Sequence, residues 1–235
     1  MNIILLKENE LHLDYNDERA IHMRKVLHMN VGDSVKVGVI NGMKGMATIL
    51  SSDKEGIDLS FQSEEDGSAL YPLTMIIAQV RPICMKRILR EAVSLGVGKL
   101  ILPVSDLGEK SYLNSSLYTE GEYKDILIDG AMQAGETGVS ECVLTQSLDE
   151  AIREAGEGEL LLLDNVIGAK PLSKLDLVGK KVVLAIGPER GWSARGRQLF
   201  VDAGFSPCLL GSRILRTETA ASAGAAVALS RMNLL

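Results

Sequence analysis

The chain of 235 residues has three cysteines, Cys84, Cys142 and Cys208, which stand far apart and form no Cys-x-x-Cys pair. That argues against a zinc site and a disulfide framework and favours reduced core thiols. Its histidines, His12, His22 and His28, all fall near the amino terminus, which supports neither a metal centre nor a hydrolase triad. No stretch approaches the roughly 20 uninterrupted apolar residues of a membrane span, and no basic-then-apolar signal pattern opens the sequence. A cytoplasmic protein with no membrane partner is expected. There is no excess of positive charge: the net charge is −6, so a nucleic-acid partner has to be met by a local basic patch. Gly-x-Gly-x-x-Gly and Gly-x-x-x-x-Gly-Lys-Ser/Thr are both missing, which removes the two common nucleotide fingerprints.

What is present is ordinary globular material, 46% hydrophobic and 24% charged, in a chain long enough for one large domain or two smaller ones. From Asp33 to Phe61 the text alternates like short antiparallel strands, with Asn41-Gly42 as the hairpin turn. "DERAIHMRKVLHMNVGD" before it reads as a helix that mixes apolar positions with Arg19, Arg24 and Lys25. Glycine, proline and charge cluster in Gln62 to Pro72, which makes that stretch the best boundary and predicts domains at 1–68 and 69–235. Beyond it, "LTMIIAQV", "KLILPVS", "LLLLD", "KVVLAI" and "SPCLLG" are apolar strands separated by helical segments. Buried strands alternating with helices predict an α/β domain with a parallel sheet.

In the helix from Cys84 to Gly96, Met85, Ile88, Leu89, Ala92 and Val93 recur at helical spacing and face the sheet. Lys86, Arg87 and Arg90 are left as a basic stripe, either a solvated face or a phosphate contact. "LAIGPERGWS" places a glycine turn after a strand, at the sheet edge where open parallel sheets collect ligands. Gly187 and Gly191 let backbone N–H groups approach a ligand, and Pro188 stiffens the turn. The strand "SPCLL" delivers Gly211 to the same edge. "RILRTETAASAGAAVAL" follows, with Arg213, Arg216 and Glu218 leading into a helix of small residues that suits close packing. Arg216 and Glu218 are costly to bury unless paired.

"IGPERGWS" followed by "LGSRILRTETA" resembles the signature of the bacterial 16S ribosomal RNA uridine-N3 methyltransferases, a branch of the trefoil-knotted SPOUT superfamily. The likeness extends to "DERAIHMRKVLHMNVGDSVKVGVINGMKG", "RPICMKRILREAVSLGVGKLILPVSDLGEKSY" and "DGAMQAGET", so it covers nearly the whole chain. The resemblance implies a small amino-terminal PUA-like β-barrel that binds RNA and a knotted, dimerising α/β domain, the knot being an exception to unthreaded topology. It implies S-adenosylmethionine (SAM) as methyl donor. On that pattern the pocket is lined by Leu163 and Asp164; by Ile186, Gly187, Pro188 and Gly191; and by Leu210, Gly211, Ile214, Leu215 and Thr219. The sequence departs from the pattern at Arg190 and Trp192, where glycine and phenylalanine are more usual, and at Gly196, which replaces a capping glutamate. His28, Leu107 and Gly108 stand where more basic residues are common.

The implied reaction is methyl transfer to uridine N3 in 16S rRNA of the small ribosomal subunit. Arg216 is the candidate to stabilise uridinate charge, and Glu189 or Glu218 to take the proton. Arg24, Lys25, Lys86, Arg87, Arg90 and Lys110 are the candidate RNA contacts. The rival readings are a methyltransferase of another rRNA or tRNA site and an RNA-binding assembly module without catalysis.

Overall fold

The computed structural model describes residues 2–166 and 168–235. They form two compact units: Met1–Ala69 with Ile128–Val139, and Leu70–Leu127 with Ser140–Leu235.

In the first unit, β1 (Ile4–Leu6) and β2 (His12–Asp14) precede α1 (Glu18–Ile21), which runs on into a π-helical turn, His22–Val26. Asp17 starts that helix because its side chain accepts from the backbone N–H of Arg19. Then come β3 (Ser34–Val39), β4 (Met43–Ser52) and β5 (Gly56–Asp66). Among the described residues these strands pair in the order β1-β3-β4-β5-β2, with β1 parallel to β3 and the rest antiparallel. Asn41, at φ 57°, supplies the left-handed backbone that the β3–β4 hairpin requires. Alternate residues such as Ile4, Leu6, Val37, Ala47, Ile49, Ile57 and Leu59 meet Leu13, Ala20 and Met23 in one core.

The polar stretch from Gln62, expected to open a boundary, remains strand as far as Asp66 because β4 pairs with it to the Met43–Asp66 register. Both faces there are polar, so hydropathy carries no strand signal, and only residues 67–70 lack regular structure.

Arg19 organises the entry to the first unit's helix. Its guanidinium forks onto Glu10 (2.7 and 2.9 Å) and Asp17 (2.7 and 3.0 Å) and donates to the Leu5 carbonyl at 2.8 Å. Those bonds hold both carboxyls below their usual range. Burial works against the arginine's own charge, but Asp17 and Glu10 outweigh it and hold the guanidinium protonated.

The second unit begins with β6 (Tyr71–Ile77), α2 (Pro82–Ser94) and β7 (Val97–Pro103). A 3-10 turn (Lys110–Asn114) and the short α3 (Ser116–Thr119) follow, then α4 (Glu122–Ala134), of which Ile128 onward belongs to the first unit. The remainder comprises β8 (Glu141–Thr145), α5 (Leu148–Ala155), β9 (Glu159–Leu163), β10 (Lys170–Pro171), β11 (Val182–Ile186), α6 (Ala194–Asp202), β12 (Ser206–Leu209) and α7 (Thr217–Arg231).

These strands form a parallel sheet ordered β10-β12-β9-β11-β6-β7-β8. The chain winds one way from β6 through β7 to β8. It then crosses back to build β9, β11 and β12 on the other side, so the winding reverses between β6 and β11, where a ligand crevice is expected.

All five anticipated apolar positions of α2 are buried, and Gly96, at φ 79°, ends that helix. α7 lies against β6 and β11, and Gly224 packs tightly against strand side chains. A Cβ there would sit 3.0 Å from Leu163 and 3.1 Å from Leu184. Close packing of this alanine-rich helix thus answers its run of small residues.

Glu10 and Asp17 have folded-state pKa values below their unfolded values of about 4.3 and 3.9, so the stability they confer is present above those values and is lost as pH falls through the lower folded ones. Arg19→Gln is therefore expected to cost roughly 1–3 kcal/mol at neutral pH and to flatten the acid limb of the denaturation midpoint below about pH 5; an unchanged limb would remove the network's role. Gly224→Leu is expected to force α7 off the sheet and lower stability by about 1–3 kcal/mol in urea titration.

Candidate active site

A cavity of about 170 Å³ opens at the carboxyl ends of β9, β11 and β12. Leu163 and Asp164 come from the end of β9, and Ile186 with the turn Gly187–Gly191 from the end of β11. Leu209 and Leu210 come from β12 and its exit, Arg213, Ile214 and Leu215 from the following loop, and Thr217 and Ala220 from α7. The turn closes on itself through the Gly191 N–H to the Pro188 carbonyl at 2.8 Å, with Gly191 at φ 71°. A Cβ at Gly187 would approach Trp192 at 3.3 Å and the Gly191 backbone at 3.4 Å, so this turn is drawn in to the limit its side chains allow.

Trp192, noted from sequence as a departure, is buried and belongs to the core of this unit. Its indole N–H donates to the Leu163 carbonyl at 3.3 Å, and its ring stands 4.7 Å from Phe200 of α6. The Thr217 hydroxyl donates to the Gly187 carbonyl at 3.2 Å, fixing the start of α7 to the same turn. Asp164 accepts from Arg197 of α6, whose guanidinium is thereby held above its ordinary value. Although Gly196 removes one half of a capping box, the Ser193 hydroxyl still accepts from the Gly196 N–H at 2.8 Å. Asp106, after β7, takes the Ser193 hydroxyl at 2.5 Å and both Nε and a terminal nitrogen of Arg195 at 3.1 and 2.5 Å.

A second cleft, of about 390 Å³, adjoins the first and shares Glu189, Ile214, Leu215 and Thr217 with it. Here the fold brings together Arg216, Glu189 and Glu218, and adds Arg81 and Cys84. The Glu189 carboxylate accepts from the Arg81 backbone N–H at 3.1 Å, and that of Glu218 lies 3.8 Å from the Cys84 sulfur. Burial and then the neighbouring Glu218 and Glu189 push the Cys84 thiol up, so it stays protonated. Arg216 is exposed, and among the described residues its side chain has no hydrogen bond or ion pair. No burial cost therefore demands the Arg216–Glu218 pairing considered from sequence.

Two anticipated pocket residues, Gly211 and Thr219, do not line the cavity. α7 begins at Thr217, and residues three apart share a helix face, so Thr217 and Ala220 reach the cavity while Thr219 points elsewhere. Knowing the helix start would have supplied that signal. Arg81 and Cys84 carry no motif that marks them, because their place depends on where β6 ends.

Of the basic residues, Lys86 is paired with Glu122 at 2.5 Å, and Arg87, Arg90 and Lys110 have solvent-exposed positions. In the first unit, Arg24 lies over the Tyr15 ring at 4.3 Å and donates to the Tyr15 carbonyl, while Lys25 is exposed. Cys84, Cys142 and Cys208 are free thiols, the latter two pushed up to about 12 chiefly by burial. Among the described residues no helix is long and apolar enough to cross a membrane, and no His, Cys, Asp and Glu cluster could hold a metal ion.

The profile of the RNA methyltransferase domain family matches residues 68–229. The chain is 39% identical to ribosomal RNA small subunit methyltransferase E of Treponema pallidum, over 98% of this chain and 91% of that protein. It is 32% identical to ribosomal RNA small subunit methyltransferase E 1 of Borreliella burgdorferi, over 99% of each. In three dimensions it resembles a methyltransferase of Legionella pneumophila in complex with SAM, with a TM-score of 0.86, 24% identity, and 98% and 97% of the two chains covered. It also resembles the Neisseria gonorrhoeae ribosomal RNA small subunit methyltransferase E bound to S-adenosyl methionine, with a TM-score of 0.79, 22% identity and the same coverage. By the family profile and by its identity to these relatives over nearly its full length, the chain belongs to the RNA methyltransferase domain family, with the ribosomal RNA small subunit methyltransferases E.

Proposed function

We propose that this protein transfers a methyl group from SAM to N3 of a uridine in 16S rRNA of the small ribosomal subunit. The observation that carries this reading is the shared wall of Glu189, Ile214, Leu215 and Thr217 between two cavities, one suited to a methyl donor and the other to an acceptor base. The donor cavity suits the proposed cofactor chemically. Leu163, Ile186, Leu210 and Leu215 offer apolar walls to an adenine, the glycine turn offers main-chain groups, and Asp164 and Glu189 offer acceptors toward its polar and cationic parts. When bound, SAM supplies an electrophilic methyl carbon.

The residues of the chain then have to orient the base, exclude water and manage one proton. Orientation alone can supply on the order of 7 to 11 kcal/mol of a bimolecular barrier. Arg216, exposed on the cleft and without a side-chain partner among the described residues, stabilises negative charge on the uracil ring. A carboxylate of the same cleft, Glu189 or Glu218, accepts the N3 proton.

The sheet unit is proposed to be a trefoil-knotted SPOUT domain. β12 lies outside β9, yet α7 returns to β6 and β11, so residues 210–216 have to cross the turns that end β9 and β11. The first unit is proposed to be a PUA-like RNA-binding domain, with the boundary near 68, and the protein a cytoplasmic homodimer. The exposed Ile83, Ile214 and Leu215 would gain a covering surface in such a dimer. Arg24, Lys25, Lys86, Arg87, Arg90 and Lys110 are the proposed phosphate contacts.

The decisive experiment is mass spectrometry of rRNA from unmodified small subunits incubated with protein and SAM. A new N3-methyluridine in 16S rRNA is expected, and no methylated product, or one at a different atom, would overturn the reading. Arg216→Gln is expected to lower kcat about 10²-fold with SAM affinity by calorimetry unchanged. Replacing Arg24 and Lys25 together with Gln is expected to weaken RNA binding and to reduce the slope of log K against log salt by about 0.7 to 0.9 for each lost phosphate contact. Unaltered RNA affinity would remove those residues from the interface.

A further inference from the structure

The acceptor cleft carries a second cation that the reaction outlined above does not use. Arg81 precedes α2 as Arg216 precedes α7, and neither side chain bonds to the start of its own helix. The Arg81 backbone is fixed to the cofactor turn, because its N–H donates to the Glu189 carboxylate at 3.1 Å. Its side chain is exposed on the cleft wall, beside the Tyr112 hydroxyl. The cleft thus presents two guanidinium groups from opposite sides of the sheet's winding reversal. Its carboxylates already face donors, Glu189 the Arg81 N–H and Glu218 the Cys84 thiol.

A guanidinium is a fork of donors with no acceptor, so two of them select a ligand edge that carries two acceptors. Uracil N3 is flanked by carbonyls at C2 and C4, and loss of its proton spreads negative charge onto both oxygens. Cytosine N3 has one carbonyl and one amino group beside it, and the amino group would turn donors toward a donor. We propose that Arg81 is a second acceptor-site cation, which with Arg216 recognises a ring nitrogen held between two carbonyl oxygens and stabilises its deprotonated form. This rests on the reading that the cleft receives the base. In the step itself, the N3 proton passes to a cleft carboxylate and the nitrogen electron pair forms the new N–C bond. The S–C bond breaks with its electrons left on sulfur, giving a neutral thioether.

The test uses the full-length protein, SAM and unmodified small subunits, with Arg81→Gln and Arg81→Lys as variants and single-turnover methyl transfer followed against pH. Arg81→Gln is expected to slow transfer about 10²-fold. It should also move the rising limb of the profile to higher pH, since the base loses a group that favours its anion. Arg81→Lys, which keeps the charge but loses the fork, should recover part of the rate and most of the limb's position. SAM affinity by calorimetry should stay within twofold for both, which separates this role from loss of the cofactor turn or of folding. In a binding competition, the wild-type preference for an rRNA fragment with uridine over cytidine at the target should fall in Arg81→Gln. If wild type makes N3-methyluridine but the limb and the preference are unmoved in Arg81→Gln, the role of Arg81 is wrong. If wild type methylates an atom that lacks two flanking carbonyls, the reading beneath it fails instead.

Discussion

The Trp192 indole N–H donates to the Leu163 carbonyl, and much of the site depends on that bond. It ties the turn that leaves β11 to the end of β9, while the same ring packs on Phe200 and through it on Phe205. An indole buried in that core needs an acceptor, and the last carbonyl of β9 meets the need. With the turn so held, Gly187 packs against the indole, Gly191 closes on Pro188, and the Thr217 hydroxyl pins α7 to the Gly187 carbonyl. The cavity is therefore shaped by main chain fixed from beneath by core side chains, an arrangement with little conformational freedom to lose when a ligand binds.

Charge is used differently in the two units. In the first, Arg19 is half-enclosed and answered by two carboxylates and a carbonyl, so its role is to fix the path of the chain into α1. In the second, ion pairs such as Asp164–Arg197 and Asp106–Arg195 brace the loops around the cavities, while Arg216 has no side-chain partner among the described residues. A braced frame around an unpaired cation suits a site that has to meet charge developing on a ligand: the reorganisation is done during folding.

The strands and helices were legible wherever burial imposes a period. Met85, Ile88, Leu89, Ala92 and Val93 marked the inner face of α2, and the continuous apolar text of β9 and β11 marked strands covered on both faces. Legibility failed where polarity is uniform. Gln62 to Asp66 extends β5 through backbone pairing with β4, a bond pattern indifferent to side-chain polarity. At the start of α7 the cavity is lined by Thr217 and Ala220 and not by the anticipated Thr219, because a helical face is defined only once the first helical residue is known.

By itself the sequence determined the glycine turn after "KVVLAI", the small-residue helix that follows "LLGSRILRTETA", and the family to which those motifs belong. These are local properties: which residues can take tight turns, which can pack closely, and which patterns recur among relatives. Tertiary structure alone decided that Arg81 and Cys84 share a cleft with Arg216, Glu189 and Glu218. It also decided that Trp192 caps β9 and that Asp106 reaches Ser193. The hydrogen-bonded pairs among them lie between 29 and 134 positions apart in the chain, and the strand order of the sheet brings their elements to one edge.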